Sequence, residues 1–228
     1  MALSFSPKIV TDGLVLYLDA ANTHSYPPPY NGTTWTDLAG TNNGTLVNGP
    51  TFNSGNGGSI VFDGVNDYIQ VSDINNISQL SVESWVYANS VGSYNAIASQ
   101  FRANAFSLSS WVLETVGSDI RLYIANGSSL VYSSTPFDIS AWVHIIGTFD
   151  GTTARIYKNG IAGATTGTTA AINNSNLNIN IGALYNSGGT EGSDGRWNGK
   201  ISNVKLYNRA LNATEILQNY NATKGRYL

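Results

Sequence analysis

The sequence predicts an all-β fold, a two-sheet antiparallel jelly-roll sandwich that carries one short C-terminal helix. Three observations predict it. Near the centre, Ser140-Ala-Trp-Val-His-Ile-Ile-Gly-Thr-Phe-Asp-Gly151 is followed at once by Ala154-Arg-Ile-Tyr-Lys-Asn-Gly160. Asp-Gly joins two β-branched and aromatic runs and Asn-Gly ends the second, so one hairpin leads into another. Along the rest of the chain, short alternating apolar runs recur between Gly- and Asn-rich turns, the spacing of a sandwich. Finally, Leu80-Ser-Val-Glu-Ser-Trp-Val-Tyr87 carries large apolar residues on both faces, which puts that strand inside a two-layer structure.

Residues 1–12 have no domain-like pattern and read as an N-terminal extension or assembly arm, and residues 13–228 read as one domain. The first strand is Leu14-Val-Leu-Tyr-Leu18, ending in Asp19; Pro27-Pro-Pro29, unable to donate ladder hydrogen bonds, then takes the chain off the sheet. Trp35-Thr-Asp-Leu38 and Gly44-Thr-Leu-Val47 read as pieces of a surface loop anchored by Trp35. Ser59-Ile-Val-Phe62 passes through the turn Asp63-Gly-Val-Asn-Asp67 into Tyr68-Ile-Gln-Val71. Further strands are expected at residues 96–100, 106–113, 119–124, 129–132, 177–181 and 200–207. A helix is expected at residues 211–220, with Asn212 as N-cap, Glu215 closing a capping box, and Leu211 with Ile216 as a hydrophobic staple. A helix this short needs tertiary contacts, so Ile216, Leu217 and Tyr220 are expected against the sandwich.

Composition narrows the partners. At 228 residues the chain suits one large β domain, and its 11% charged residues fall well below the roughly 25% usual in soluble domains. Asn, Thr, Ser, Gly and Tyr must therefore build much of the polar surface. A net charge of -3 with 11 Lys and Arg gives no footprint for phosphate backbones, which argues against nucleic acid. With 0 cysteines, neither a disulfide framework nor a thiolate metal site can form. No basic segment and apolar run of a signal peptide opens the chain, and no apolar run approaches the roughly 18 residues of a membrane span.

With these residues in place, the chain resembles the laminin-G-like branch of the concanavalin A-like lectin and glucanase superfamily. The matching segments are Phe62-Asp-Gly-Val-Asn-Asp-Tyr-Ile69, Val82-Glu-Ser-Trp-Val86, Trp142 to Gly151, Ile156-Tyr-Lys-Asn-Gly160, Ile181-Gly182, Trp197 to Leu211 and Glu215-Ile216. The opening, Gly13 to Asn22, Trp35 to Leu38 and Asn43 to Pro50, is similar to jelly-roll domains in structural proteins of tailed bacteriophages. That second resemblance implies a noncatalytic structural or adhesive virion protein: a capsid decoration, or a tail or fibre component. It would be made in the host cytoplasm without a signal peptide and displayed on the virion surface, where it would contact other virion proteins or itself and cell-surface glycans. The alternative is a free-standing, lectin-like carbohydrate-binding module, with or without calcium.

The residues argue against catalysis. Glycosidases set two carboxylates across a sugar, and no expected strand carries acids at alternate positions. Glu83 has Ser81 and Trp85 as same-face neighbours and reads as a hydrogen-bonded group at a sheet edge or concave face; Glu114 is followed by Thr115 and Val116. His144 reads as a satisfied packing residue, and His24 lies in the Pro-rich loop. The resemblance implies a calcium ion at one rim, for which Asp63, Asp67, Glu191 and Asp194 supply oxygens. The bland reading of Asp63 is that it builds its own turn. For a sugar, Tyr94, Tyr132, Tyr185 and Asn186 are the candidate stacking and hydrogen-bonding residues. Trp197 is expected to plug the core beneath the loop that holds Glu191 and Asp194.

Overall fold

The computed structural model describes residues 7–74, 76–163, 168–169 and 171–228. In chain order its strands are β1 (Leu14–Asp19), β2 (Thr34–Trp35), β3 (Gly44–Val47), β4 (Thr51–Asn53), β5 (Ser59–Asp63), β6 (Tyr68–Val71), β7 (Leu80–Ala88) and β8 (Asn95–Gln100). They continue as β9 (Trp111–Val116), β10 (Asp119–Ala125), β11 (Leu130–Pro136), β12 (Trp142–Phe149), β13 (Ala154–Lys158), β14 (Ile161–Ala162), β15 (Ile179–Ile181) and β16 (Asn198–Tyr207), before the helix α1 (Ala213–Thr223).

Two eight-stranded sheets result. The first runs β14-β13-β12-β7-β16-β5-β4, and β1 also pairs with β16. One edge of β16 is thus shared: Asn198–Ile201 pair with β5, while Asn203–Tyr207 pair with β1. The second sheet runs β11-β10-β9-β8-β15-β6-β3-β2. Between them lies a core that includes Trp35, Phe62, Val82, Trp111, Leu122 and Trp197, all buried. At Gly147 of β12 an added Cβ would stand 2.9 Å from Leu122 Cβ of the opposite sheet, so glycine permits the layers to approach there. The β13–β14 turn is the Asn-Gly turn the sequence announces, with Asn159 at φ 52° and Gly160 at φ 79°. No helix among the described residues is long and apolar enough to cross a membrane.

Several boundaries moved. The strand expected at 106–113 is instead a 3₁₀ turn, Phe106–Leu108, followed by β9 at Trp111–Val116. The cause is local: Ser109 Oγ donates to Ala105 O at 2.8 Å and accepts from Arg102 N at 2.9 Å, which closes the turn before the strand can begin. The expected surface loop around Trp35 contributes strands β2 and β3 to the edge of the second sheet, with Trp35 fully buried. In α1, capping box and N-cap form as expected, and Ile216 is buried, but Leu217 is 48% exposed and Asn219 takes the buried position. Residues 7–12 are bound to the fold: Val10 N donates to Asn219 Oδ1 at 2.7 Å, and Tyr207 Oη donates to Val10 O at 3.1 Å. The rest of the expected arm, residues 1–6, lies outside the described residues.

The outer faces of the sheets consequently differ. Helix α1 and residues 7–12 cover the first. The second is crossed by the loop at residues 183–196, and its outward side chains on β10 and β11, Arg121, Tyr123 and Tyr132 among them, stay partly exposed.

Candidate functional site

Strand alternation builds the site. On β9, Trp111 and Leu113 point into the core, which sends Val112 and Glu114 to the outer face of the second sheet. On β10, Leu122 and Ile124 point inward and leave Arg121 and Tyr123 outside. Glu114 pairs with Arg121 across one edge of β9 and with Ala96 across the other. Two loops wall the space above Glu114: the turn after β8 brings Phe101, Asn104 and Phe106, and the loop after β15 brings Leu184 and Asp194. Together with Tyr94 and Tyr123 they enclose a cleft of about 400 Å³. Such a volume, an apolar floor and a few converging polar groups are the features of small-ligand sites.

The electrostatics centre on Glu114. It is 5% exposed, and its Oε2 is buried with no hydrogen-bond partner among the described residues. Burial pushes its carboxyl up, Arg121 opposes that and the charge of Asp194 adds to it, so it titrates at about 7. Arg121 is occupied at the flank: it donates to Tyr123 Oη at 2.8 Å, meets Asp119 at 3.5 Å and lies 4.9 Å over the Tyr132 ring. At the rim, Tyr94 is 59% exposed.

The structure gathers some of the sequence candidates and separates others. Tyr94 and Asp194 line the cleft. Tyr132 stands beside it, its ring 5.1 Å from that of Tyr123. Tyr185 is buried, accepting from Asn178 N at 3.2 Å, and Asn186 Oδ1 accepts from Thr190 N at 2.9 Å to close its own loop; neither lines the cleft. Glu191 accepts from Gln70 Nε2 at 2.6 Å. Asp63 Oδ1 accepts from Val65 N at 2.7 Å, and Asp67 Oδ2 from Asp63 N at 3.0 Å, so both build their turn. Asp63 and Asp67 are thus taken up by amides of their own turn, whereas Glu191 keeps Oε1 buried without a hydrogen-bond partner among the described residues. Among the described residues no three or more His, Cys, Asp or Glu lie together as a metal site would need.

Glu83 occupies the opposite outer face. It lies on β7 at the centre of the first sheet rather than at an edge, fully buried under α1. Lys205 Nζ donates to Oε1 at 2.6 Å, His144 Nε2 lies 3.1 Å from the same oxygen, and Asn219 Nδ2 donates to Oε2 at 2.6 Å. Burial pushes this carboxyl up, but Lys205 and His144 outweigh it and hold it at about 2. Burial keeps His144 neutral, below its ordinary value, so its Nε2–H is the donor to the carboxylate. Glu83 is therefore part of the scaffold.

A laminin G family model, described as the concanavalin A-like lectin/glucanases superfamily, matches residues 63–217. The chain belongs to this superfamily. Its sandwich is similar to the receptor-binding domain of botulinum neurotoxin type G (19% identity, TM-score 0.68), covering 92% of this chain and 51% of that one. Domain 4 of AbnA, an extracellular arabinanase from Geobacillus stearothermophilus in complex with arabinotriose, shares 15% identity at a TM-score of 0.67, with 91% of this chain and 98% of that domain covered. The sialidase of Trypanosoma rangeli, in complex with the inhibitor DANA, matches at 16% identity and a TM-score of 0.69, over 99% of this chain and 36% of that one. The chain thus spans about half the length of the toxin domain and about a third of the sialidase. No curated protein sequence matches it.

Glu114, Tyr123, Asn104, Phe101 and Phe106 are among the cleft residues that sequence reasoning missed. The signal for Glu114 was available as a carboxyl at the outward parity of an apolar strand. The strand expected over residues 106–113 stops one residue short of Glu114, which β9 includes.

Proposed function

We propose that the chain is a noncatalytic, lectin-like module that binds a glycan in the cleft on the outer face of the second sheet. One observation carries this reading: an exposed tyrosine at the rim stands over an apolar floor in which an unpartnered carboxyl is buried. Sugars offer an apolar ring face for stacking and hydroxyls that satisfy buried polar groups, so Tyr94 would stack while Glu114, Asp194 and Asn104 take the hydroxyls. The test is a glycan array followed by calorimetry on the best ligand. Tyr94→Ala is expected to weaken that ligand about tenfold, or about 1.4 kcal/mol, without loss of thermal stability. Unchanged affinity in Tyr94→Ala would sink the assignment of this cleft.

The pair Glu114 and Asp194 favours a second reading, glycoside hydrolysis. The raised carboxyl of Glu114 suits a general acid near neutral pH. Against it, Asp194 is exposed and its Oδ1 accepts only the adjoining Gly195 N–H at 2.8 Å, which leaves it poorly positioned as a nucleophile or base. Release of reducing ends from the bound oligosaccharide, abolished by Glu114→Gln, would establish hydrolysis. The finer form of the proposal places the module on a virion surface, supported by the resemblance of its opening segments; co-sedimentation with particles tests it.

A further inference from the structure

We infer that the cleft is built for a glycan bearing a protonated amino group, a 2-amino-2-deoxy sugar, in preference to a neutral or an acidic one. This rests on the glycan reading above and adds to it the charge of the ligand.

The first ground is an imbalance of donors and acceptors. The side chains that reach the cleft with polar atoms are Glu114, Asp194, Asn104 and the hydroxyls of Tyr94 and Tyr123, and no Lys, Arg or His is among the lining residues. Glu114 Oε2 stays buried without a donor. A buried acceptor in that state costs free energy that a ligand donor would recover. An ammonium group brings three donors and no acceptor, the complement of this lining.

Charge is the second ground. Glu114 and Asp194 both line the cleft, and the charge of Asp194 helps to raise the Glu114 carboxyl. The groups facing Glu114 are Arg121 and Tyr123 from β10 and Asp194 from the crossing loop, while β8 presents the uncharged Ala96. The one cation among these, Arg121, is engaged at its terminal nitrogens by Tyr123 and Asp119 and lies over the Tyr132 ring, while its Nε is buried without a partner among the described residues. An acidic sugar would bring a further negative charge beside Asp194 and the raised carboxyl of Glu114, with no lining cation to meet it. A protonated amine instead pairs with Asp194 and favours the ionised form of Glu114, whose carboxyl is raised without it, and the rings of Tyr94, Phe101, Phe106 and Tyr123 offer faces or edges around it.

The test compares three β-1,4-linked oligosaccharides of equal length by calorimetry at low salt: glucosamine, N-acetylglucosamine and glucose. The pH is stepped from about 5 to about 8, so that the free amine and Glu114 are each followed through their titration. The amino oligomer is expected to bind at least about tenfold tighter than the other two, as one desolvated charge pair would give. Glu114→Gln should remove about tenfold of its affinity and weaken the glucose oligomer by a smaller factor, since the charge is lost while an amide can still meet a hydroxyl. Because Glu114 is buried, Asp194→Asn serves as a second variant: it is exposed, its amide oxygen can still accept the Gly195 N–H, and a loss of a few fold for the amino oligomer is expected. Equal binding of all three oligomers would overturn the inference and leave the glycan reading standing. If a simple alkylammonium salt bound as tightly as the amino oligomer, the amine would be recognised but the glycan reading would fall. Binding of none of them would overturn both.

Discussion

Each sheet buries one glutamate on its outer face, and the two faces treat it in opposite ways. Glu83 of the first sheet receives hydrogen bonds from Lys205, His144 and Asn219 beneath a helix, whereas Glu114 of the second sheet has a buried oxygen with no partner and opens on a cleft. Both are at most 5% exposed, yet one carboxyl is held at about 2 and the other raised to about 7. Burial alone therefore does not separate scaffold from site in this molecule. What separates them is whether the protein supplies the donors itself or leaves them to be supplied.

Removing the donor that compensates Glu83 should give the largest effect. Lys205→Met leaves a carboxylate under α1 with one ammonium fewer, and breaking a buried ion pair from one side costs about 3–5 kcal/mol. Urea denaturation should show a loss in that range, and the double variant Glu83→Gln with Lys205→Met should recover most of it, since no buried charge is then stranded. A Lys205→Met loss under about 1 kcal/mol would mean that the first face does not depend on its internal donors, and the contrast with Glu114 would collapse.

The pH dependence sharpens the comparison, because the two groups act in opposite directions. Glu83 is depressed below its ordinary 4.5, so its stabilisation is present above that value and disappears as pH falls toward about 2. Glu114 is raised from 4.5 to about 7, so its neutral form favours the folded state most below pH 4.5, and that advantage is lost as pH rises through 7. The difference corresponds to about 3 kcal/mol between pH 4.5 and pH 8. In Glu114→Gln the drop in stability across that interval should shrink by about this amount. An unaltered pH profile would show that Glu114 ionises freely in the folded protein and that its face is as well satisfied as the first.

Much of the scaffold is legible in the sequence because period-2 alternation and Asn-Gly turns act locally. The Asn159-Gly160 hairpin, the burial of both faces of β7 and the Asn212–Glu215 capping box all follow from neighbours within a few residues. The cleft is less legible because it is assembled from β9, β10, the turn after β8 and the loop after β15, which only the sheet order brings together. Tyr94 and Asp194 could be named as candidates from residue type and loop context. Their meeting with Glu114 depended on where β9 lies, beginning after the Ser109 turn and running through Glu114 to Val116. The buried role of Asn219 was equally hidden, since helical spacing marks the face of α1 but does not show that a carboxylate waits beneath it.

The smallest effect expected is at the cap of α1. Asn212 accepts from Thr214 N and Glu215 N, each at 3.0 Å, and Glu215 returns a bond to Asn212 N while pairing with Arg209 at 2.7 Å. Asn212→Ala should cost about 1 kcal/mol. The consequence should be regional: fraying α1 loosens the helix that carries Asn219 to Glu83 and Thr223 to the Trp85 indole, a 2.8 Å contact. Amide exchange should then quicken in α1 and at Val10, whose N–H is held by Asn219, while β9 and β10 keep their protection. Equal acceleration on β9 would show that the two faces open as one cooperative unit. In that case the cover over Glu83 would also support the floor of the cleft, and a ligand bound there would be expected to protect α1 in return.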